Sequence, residues 1–207
     1  VIRTETCIIF DWDDTLLSSS WLASNGLRLD SPDVLPAEVV SQLTVLEEAV
    51  LQLLERAAAL GNVVIITNAE AGWVELSARK FMPHVVPMLS TLRVVSARST
   101  YEAAYPDSPS DWKVAAFGAE IGATYAASAS EARKNIISLG DSIHERAAIH
   151  KVTAGMGPST FTKSIKFLER PTVEQLKRQV DLITSCLPDV AAHKEGLDLM
   201  LTIQLLY

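Results

Sequence analysis

The segment from residue 7 to residue 15 reads Cys7-Ile8-Ile9-Phe10-Asp11-Trp12-Asp13-Asp14-Thr15, so an apolar run changes abruptly into acidic residues. Four apolar residues favour a buried strand of a parallel sheet, and such sheets bind ligands at the carboxyl ends of their strands. Carboxylates this close together repel one another unless a cation lies among them, and Mg²⁺ prefers oxygen ligands. The segment therefore predicts a buried strand followed by a Mg²⁺ site. The alternative is that the acidic residues act only as turn and cap residues.

The pattern of this first strand recurs along the chain, and helical patterns separate the repeats. Further apolar runs that end in polar or small residues occupy positions 63–66, 92–95 and 136–139. Apolar residues at intervals of three and four indicate a helix that begins at Pro36 and ends at Gly61. Other helices are predicted over 71–82, 110–122 and 143–152. This alternation predicts an α/β fold with a doubly wound, Rossmann-like parallel sheet flanked by helices, in a single domain spanning 1–207.

Two long loops and a C-terminal extension complete the predicted domain. Residues 16–35 follow the acidic cluster and are expected to form either a flap over a site or an ordinary surface loop. Residues 99–109 form the second long loop. The extension, 156–207, is predicted to begin with a strand around Ile165 and Phe167.

A helix and an apolar ending follow within the extension. Thr172 and Gln175 have the spacing of a capping box, which predicts a helix from Thr172 to about residue 187. Alternating apolar residues over 197–203 suggest an edge strand, with a helix as the alternative. The ending, 201–207, is expected to cover the sheet edge or to join a second subunit in a homo-oligomer.

Charge and cysteine content limit the classes of partner. The 207 residues carry a net charge of −7, and the sequence has no basic stripe, which argues against binding to nucleic acid. We expect no membrane contact, because no uncharged stretch is long enough to span a bilayer. Cys7 and Cys186 lie in apolar segments without metal-ligand spacing, so both are expected to be reduced in an intracellular, cytoplasmic protein.

Polar residues after two other predicted strands are candidates for the same site. Thr67 and Asn68 follow the second apolar run, where a hydroxyl and an amide can bind phosphoryl oxygens. Asp141 follows the fourth run directly and is a predicted metal ligand. Glu145 lies three residues after Ser142, which is capping-box spacing, so it is either a helix cap or a site residue.

A site for phosphate also needs a fixed positive charge. Lys113 lies on a predicted helix from which it can point toward the strand ends, whereas Lys134 precedes the fourth strand, about 15 Å from its carboxyl end. Lys113 is therefore the predicted phosphate-binding cation. The alternative is an ordinary solvated lysine.

Four motifs now stand in chain order: Asp-x-Asp-x-Thr at 11–15, Thr67-Asn68, Lys113, and Gly-Asp-Ser at 140–142. Over residues 5 to about 155, this order and the strand placement resemble the haloacid dehalogenase superfamily of phosphotransferases. Receiver domains also use acidic residues, Thr and Lys. Their phosphorylated Asp follows a middle strand and their Lys comes last, so their order does not fit.

The resemblance implies a Mg²⁺-dependent phosphatase that hydrolyses a phosphomonoester through an aspartyl-phosphate intermediate. Asp11 would be the nucleophile, and Asp13 would protonate the leaving oxygen and then activate water. Thr67 would hold the phosphoryl group, with Asn68 beside it. Lys113 would steady the charges of the nucleophile and the phosphate.

The resemblance also implies a ligand set for Mg²⁺. The ion would bind Asp11, Asp141 and the backbone carbonyl of Asp13, while Thr15 would brace the loop. The family often has a second Asp four positions after the one in its last motif, where this chain has Glu145, which can serve in its place.

Family members that act on small metabolites usually insert a cap domain after the first motif or between the second and third. The intervals here, 16–35 and 69–112, are too short for a large cap, so the resemblance implies a capless or minimally capped protein. Its open site would suit a bulky phosphorylated substrate or closure by another subunit. Trp21 and Leu22 are expected either to form a wall of the entrance or to fill the core. The alternative function is a catalytically idle binding or interaction module.

Overall fold

A computed structural model describes residues 4–32, 34–126 and 132–202. Within them, an all-parallel sheet of six strands has the order β3-β2-β1-β4-β5-β6 once the strands are numbered along the chain. The strands are β1 (Thr4–Phe10), β2 (Asn62–Thr67), β3 (Arg93–Ser96), β4 (Arg133–Gly140), β5 (Thr160–Lys166) and β6 (Leu197–Met200).

Helices connect the strands and cover both faces of the sheet. They are α1 (Ser19–Ser24), α2 (Ala37–Leu60), α3 (Trp73–Phe81), α4 (Val86–Leu89), α5 (Ala97–Tyr101), α6 (Pro109–Tyr125), α7 (Ile143–Thr153) and α8 (Val173–Ala192), with a 3₁₀ turn at Pro83–Val85. Alternate residues of β1 enter two cores because successive strand residues face opposite sides. Ile8 and Phe10 pack with α2, α3 and α8, whereas Cys7 and Ile9 pack with α6 and α7.

The order of the strands places a switch point beside β1. The chain proceeds from β1 outward to β3 on one side, then returns to β4 on the other side of β1. In doubly wound sheets, ligands bind at the carboxyl ends of the strands where the winding direction reverses. Phe10 pairs with Leu139, and the Asp11 N–H donates to the Leu139 carbonyl over 2.9 Å. The residues that follow β1 and β4 are therefore held next to each other.

The predicted α/β class and the doubly wound sheet are confirmed. The apolar runs 7–10, 63–66 and 136–139 lie within β1, β2 and β4, and the third run is shifted by one residue to Arg93–Ser96. The long helix between Pro36 and Gly61 is α2. An edge strand, not a helix, occupies Leu197–Met200, and positions 203–207 lie outside the described residues.

The helix α8 extends beyond its predicted end at residue 187 and contains Pro188. Leu187 and Val190 are both buried, so continuing the helix adds apolar contact with the core. The carbonyls at its end are also satisfied, because the Lys163 Nζ donates to Val190 and His193 over 2.6 and 2.7 Å. The stabilisation from these buried contacts and from the Lys163 hydrogen bonds exceeds the cost of Pro188 within the helix.

The two predicted loops contain short helices that the sequence patterns missed. The interval 16–35 includes α1, and α5 (Ala97–Tyr101) overlaps the first residues of the predicted loop 99–109. Isolated helices of five or six residues are unstable, so tertiary contacts must stabilise them. None of the described helices combines the length and the low polarity that crossing a bilayer requires.

Candidate functional site

The carboxyl ends of β1, β2 and β4 bring the predicted residues together. Asp11 follows β1, Thr67 ends β2, and Asp141 follows β4. Lys113, in the first turns of α6, reaches across to them and is only 1% exposed. Its Nζ donates to the Asp11 Oδ1 over 2.8 Å and to the Ile66 carbonyl over 2.6 Å. One buried lysine thus joins the ends of two strands.

A second carboxylate, that of Glu145, also contacts Lys113, with 2.9 Å between the Glu145 Oε1 and the Nζ. Burial opposes the charge on Lys113, but the carboxylates of Asp11 and Glu145 outweigh it and raise the pKa of Lys113 above its usual value. Burial likewise opposes the charge on Glu145, while Lys113 and Ser142 hold the pKa of Glu145 below its usual value. Both groups are therefore charged at neutral pH.

Asp11, Asp141 and Glu145 form an acidic triad. One oxygen from each lies within 4.8 Å of the others. Burial, followed by the charges of Asp11 and Glu145, raises the pKa of Asp141 to about 8. Burial also raises the pKa of Asp11 to about 7, although Lys113 acts in the opposite direction. The raised pKa values mean that one ammonium does not compensate three ionised carboxylates, and a hard divalent cation such as Mg²⁺ fits this oxygen set and would favour the ionised forms.

Glu145 is both a helix cap and a member of the triad. Its Oε2 accepts from the Ser142 backbone N–H over 3.0 Å and from the Ser142 hydroxyl, which completes a capping box at the start of α7. Gly140 allows this close fold, because a Cβ at that position would lie 2.5 Å from the Glu145 Cγ. The two interpretations of Glu145 from the sequence, helix cap and site residue, are therefore compatible.

Asp13 is not a member of the acidic triad. Its Oδ1 accepts from the Trp73 Nε1–H over 2.9 Å, and its Oδ2 accepts a longer bond, 3.4 Å, from the Thr67 hydroxyl. The expected metal contact of Asp13 is through its main-chain carbonyl and stays a prediction. Trp73 was not predicted as a site residue. Its only signal in the sequence is an N–H donor six positions after the residue that ends β2.

Thr67 and Asn68 shape the neighbouring turn. The Thr67 hydroxyl accepts from the Ala69 N–H over 2.9 Å, and Thr67 is buried. The side-chain N–H of Asn68 donates to the Pro109 carbonyl over 3.1 Å, which ties this turn to the first residue of α6. That helix carries Lys113, so Asn68 helps to position the lysine. The phosphate contact expected of Asn68 stays a prediction.

Asp14 turns toward α1 instead of joining the triad. It has a positive φ of 53°, and its Oδ1 accepts from the Ser20 N–H and hydroxyl over 3.0 and 2.9 Å. This carboxylate supplies an acceptor for an N–H group at the start of α1. The Thr15 hydroxyl is buried with no hydrogen-bond partner among the described residues, so its side-chain oxygen does not brace the loop.

Comparison of the chain with protein-family models, with curated proteins and with solved structures gives no match in any of the three. The class of the protein is therefore defined by its fold and its site alone. The chain is an α/β protein with a doubly wound parallel sheet and, at the switch point of that sheet, a buried acidic cluster that can hold a metal ion.

Proposed function

We propose that the protein is a Mg²⁺-dependent phosphatase that hydrolyses a phosphomonoester, with Asp11 as the nucleophile. The observation that carries the proposal is the different placement of two carboxylates that are two residues apart. Asp11 lies in the charged cluster with Lys113, whereas Asp13 lies outside it and is held by the neutral N–H of Trp73. Environments that separate two carboxylates in this way suit one for nucleophilic attack and the other for proton transfer.

Asp11 is oriented for attack because Lys113 fixes its Oδ1. Attack of the Asp11 carboxylate on phosphorus forms the aspartyl-phosphate bond and breaks the bond from phosphorus to the leaving oxygen. The Lys113 ammonium donates to Asp11 over 2.8 Å, and the Thr67 hydroxyl donates to Asp13 over 3.4 Å. They can stabilise the phosphoryl oxygens as charge develops on them.

Asp13 can serve both half-reactions. In its protonated form it gives its proton to the leaving oxygen. As a carboxylate it then removes a proton from the water that attacks the phosphorus of the intermediate, which breaks the bond between phosphorus and the Asp11 oxygen, releases phosphate and restores both side chains. The bond to Trp73 keeps this carboxylate apart from the triad, so it is not consumed as a metal ligand. Bound Mg²⁺ would be held by the triad and would neutralise charge on the phosphate.

The test is phosphate release from an aryl phosphate, measured with Mg²⁺ and with EDTA. Asp11→Asn should abolish turnover while leaving the fold intact, because Glu145 still neutralises Lys113. Asp107→Asn is the matched control, because Asp107 is exposed and Asn tolerates its positive φ of 54°. Asp13→Asn should keep the Mg²⁺ affinity and lower the rate at least about 10²-fold.

Two results would contradict the proposal. One is wild-type turnover by Asp11→Asn, which would exclude Asp11 as the nucleophile. The other is the absence of phosphate release by the wild-type protein across aryl phosphates, phosphorylated metabolites and phosphopeptides. Mg²⁺ binding without release would instead support the idle binding module.

A further inference from the structure

A cavity of about 470 Å³ lies beside the site, between α1 and α3. Most of its lining is apolar, and a few polar residues complete it. The apolar side chains are those of Leu22, Ala23, Leu27, Leu29, Trp73 and Phe81. Ser19, Arg28 and Asp30 supply the polar part, and Arg28 and Asp30 form an exposed ion pair. A volume of this size is typical of small-molecule sites.

The segment that closes the cavity is fastened to α3. The Lys80 Nζ donates to the Leu29 carbonyl over 3.0 Å and to the Ser31 carbonyl over 2.6 Å. On the other side, α1 is tied to the loop after β1 by the bonds from Ser20 to Asp14. Hydrogen bonds therefore hold both walls in place, one wall to α3 and the other to the loop after β1.

Trp73 belongs to the cavity and to the site at once. Its indole ring lines the cavity, and its Nε1–H donates to the Asp13 Oδ1. Because this N–H is engaged, the ring offers the cavity only its apolar surface. The cavity thus lies next to the carboxylate that protonates the leaving oxygen.

We propose that this cavity binds an apolar leaving group, so that the substrates are phosphomonoesters of alcohols with an aliphatic or aromatic body. The inference rests on the proposed function. The bond between phosphorus and the ester oxygen breaks, Asp13 supplies a proton to that oxygen, and the apolar alcohol leaves from the cavity. Trp73 positions Asp13 at the junction of the cavity and the phosphoryl site.

The test compares ethyl phosphate with hexyl phosphate, because their leaving alcohols have similar acidity and differ only in apolar length. Each methylene that enters the cavity should raise kcat/KM about fourfold, which gives up to about 2 × 10²-fold for four methylenes. Leu27→Gln should lower the ratio of kcat/KM for hexyl over ethyl phosphate at least about tenfold. Leu76→Gln is the matched control, since Leu76 is an exposed residue of α3 that does not line the cavity.

A second variant tests the same inference in case Leu27→Gln fails to fold. Ala23 is exposed at the cavity, so Ala23→Leu should fill space there without disturbing the core, and it should also lower the hexyl preference. Equal kcat/KM for the two esters in the wild-type protein would overturn the inference while leaving the proposed function intact. The same follows if the ratio responds equally to Leu27→Gln and Leu76→Gln.

A direct binding measurement separates this inference from the proposed function. Equilibrium dialysis with 1-naphthol, which carries no phosphate, should show binding to the wild-type protein that Leu27→Gln weakens and Leu76→Gln does not. If the protein releases phosphate from none of the aryl phosphates, phosphorylated metabolites, phosphopeptides and alkyl esters but 1-naphthol binds in this way, the proposed function fails and the cavity stands as an apolar ligand site. Absence of 1-naphthol binding at millimolar concentration would overturn the cavity site.

Discussion

Replacing Lys113 with methionine removes the positive charge that joins the strand ends while keeping a side chain of similar length. Lys113 is 1% exposed and contacts Asp11 and Glu145 at 2.8 and 2.9 Å. The variant Lys113→Met leaves these two carboxylates buried with no counter-charge, and the Ile66 carbonyl loses its donor. Breaking a buried ion pair by removing one partner costs about 3–5 kcal/mol. We expect the free energy of unfolding at pH 8 to fall by about that amount.

The loss should depend on pH because the stranded carboxylates can take up protons. Without Lys113, the pKa of Asp11 in the folded protein rises further above its unfolded value. The pKa of Glu145, which Lys113 holds below its usual value, rises above its unfolded value because burial then acts without a counter-charge. A group of this kind contributes stability below its unfolded pKa and loses it as the pH rises through its folded pKa. The destabilisation by Lys113→Met should therefore be smaller at pH 5 than at pH 8.

Urea denaturation at both pH values, in EDTA, measures the effect. Lys151→Met is the matched control, because the Lys151 Nζ lies 3.7 Å from the Asp111 Oδ1 in an exposed ion pair. Such a pair contributes about 0–1 kcal/mol. If Lys113→Met costs less than about 1 kcal/mol, or costs the same at pH 5 and pH 8, Lys113 does not neutralise the buried cluster.

The remaining predictions concern the acidic groups and two tryptophans. Folded pKa values of about 7 for Asp11 and about 8 for Asp141 lie above the ordinary value of 3.8, so the metal-free protein should lose stability from pH 5 to pH 8. Urea titration in EDTA checks this loss, Mg²⁺ should reduce it, and a flat profile would refute it. Trp73→Phe keeps an aromatic ring but removes the N–H that donates to Asp13. The variant should lower kcat/KM about tenfold for ethyl phosphate and less for p-nitrophenyl phosphate, whose leaving group needs little protonation. Equal losses would show that Trp73 does not act through Asp13. Trp21 packs against the core but does not line the cavity. Trp21→Ala should therefore lower the free energy of unfolding by about 2 kcal/mol, which is less than the cost for a fully buried tryptophan. The relative rates across substrates should stay unchanged.

The sheet could be predicted because its signals are local. The run 7–10 is apolar on both faces of β1, and Ile8 and Ile9 enter different cores, so the residue types alone specify a doubly covered strand. The capping box at Thr172 and Gln175 is formed as its spacing predicts. Such patterns predict where each strand ends. They therefore also predict the edge of the sheet at which the acidic residues meet.

Features that depend on distant contacts could not be predicted in the same way. α1 is too short to be stable alone, and the side chain of Asp14 and the burial of Leu22 help to stabilise it. Trp73 was missed because nothing in the local sequence aligns its N–H with Asp13, which lies sixty positions earlier. The contact of Glu145 with Lys113 was not predicted, because the capping-box spacing already offered one role for Glu145 and left its site role open.

The double attachment of Glu145 restricts which sequences this part of the molecule can accept. Its two carboxylate oxygens serve different partners, one at the start of α7 and one on Lys113, so an aspartate, shorter by one methylene, cannot reach both. The side chain also passes over a position where any Cβ would collide with it. Related sequences should therefore retain Gly140 and Glu145 together or lose them together. A related chain that changes only one of them should no longer form the acidic triad around Lys113.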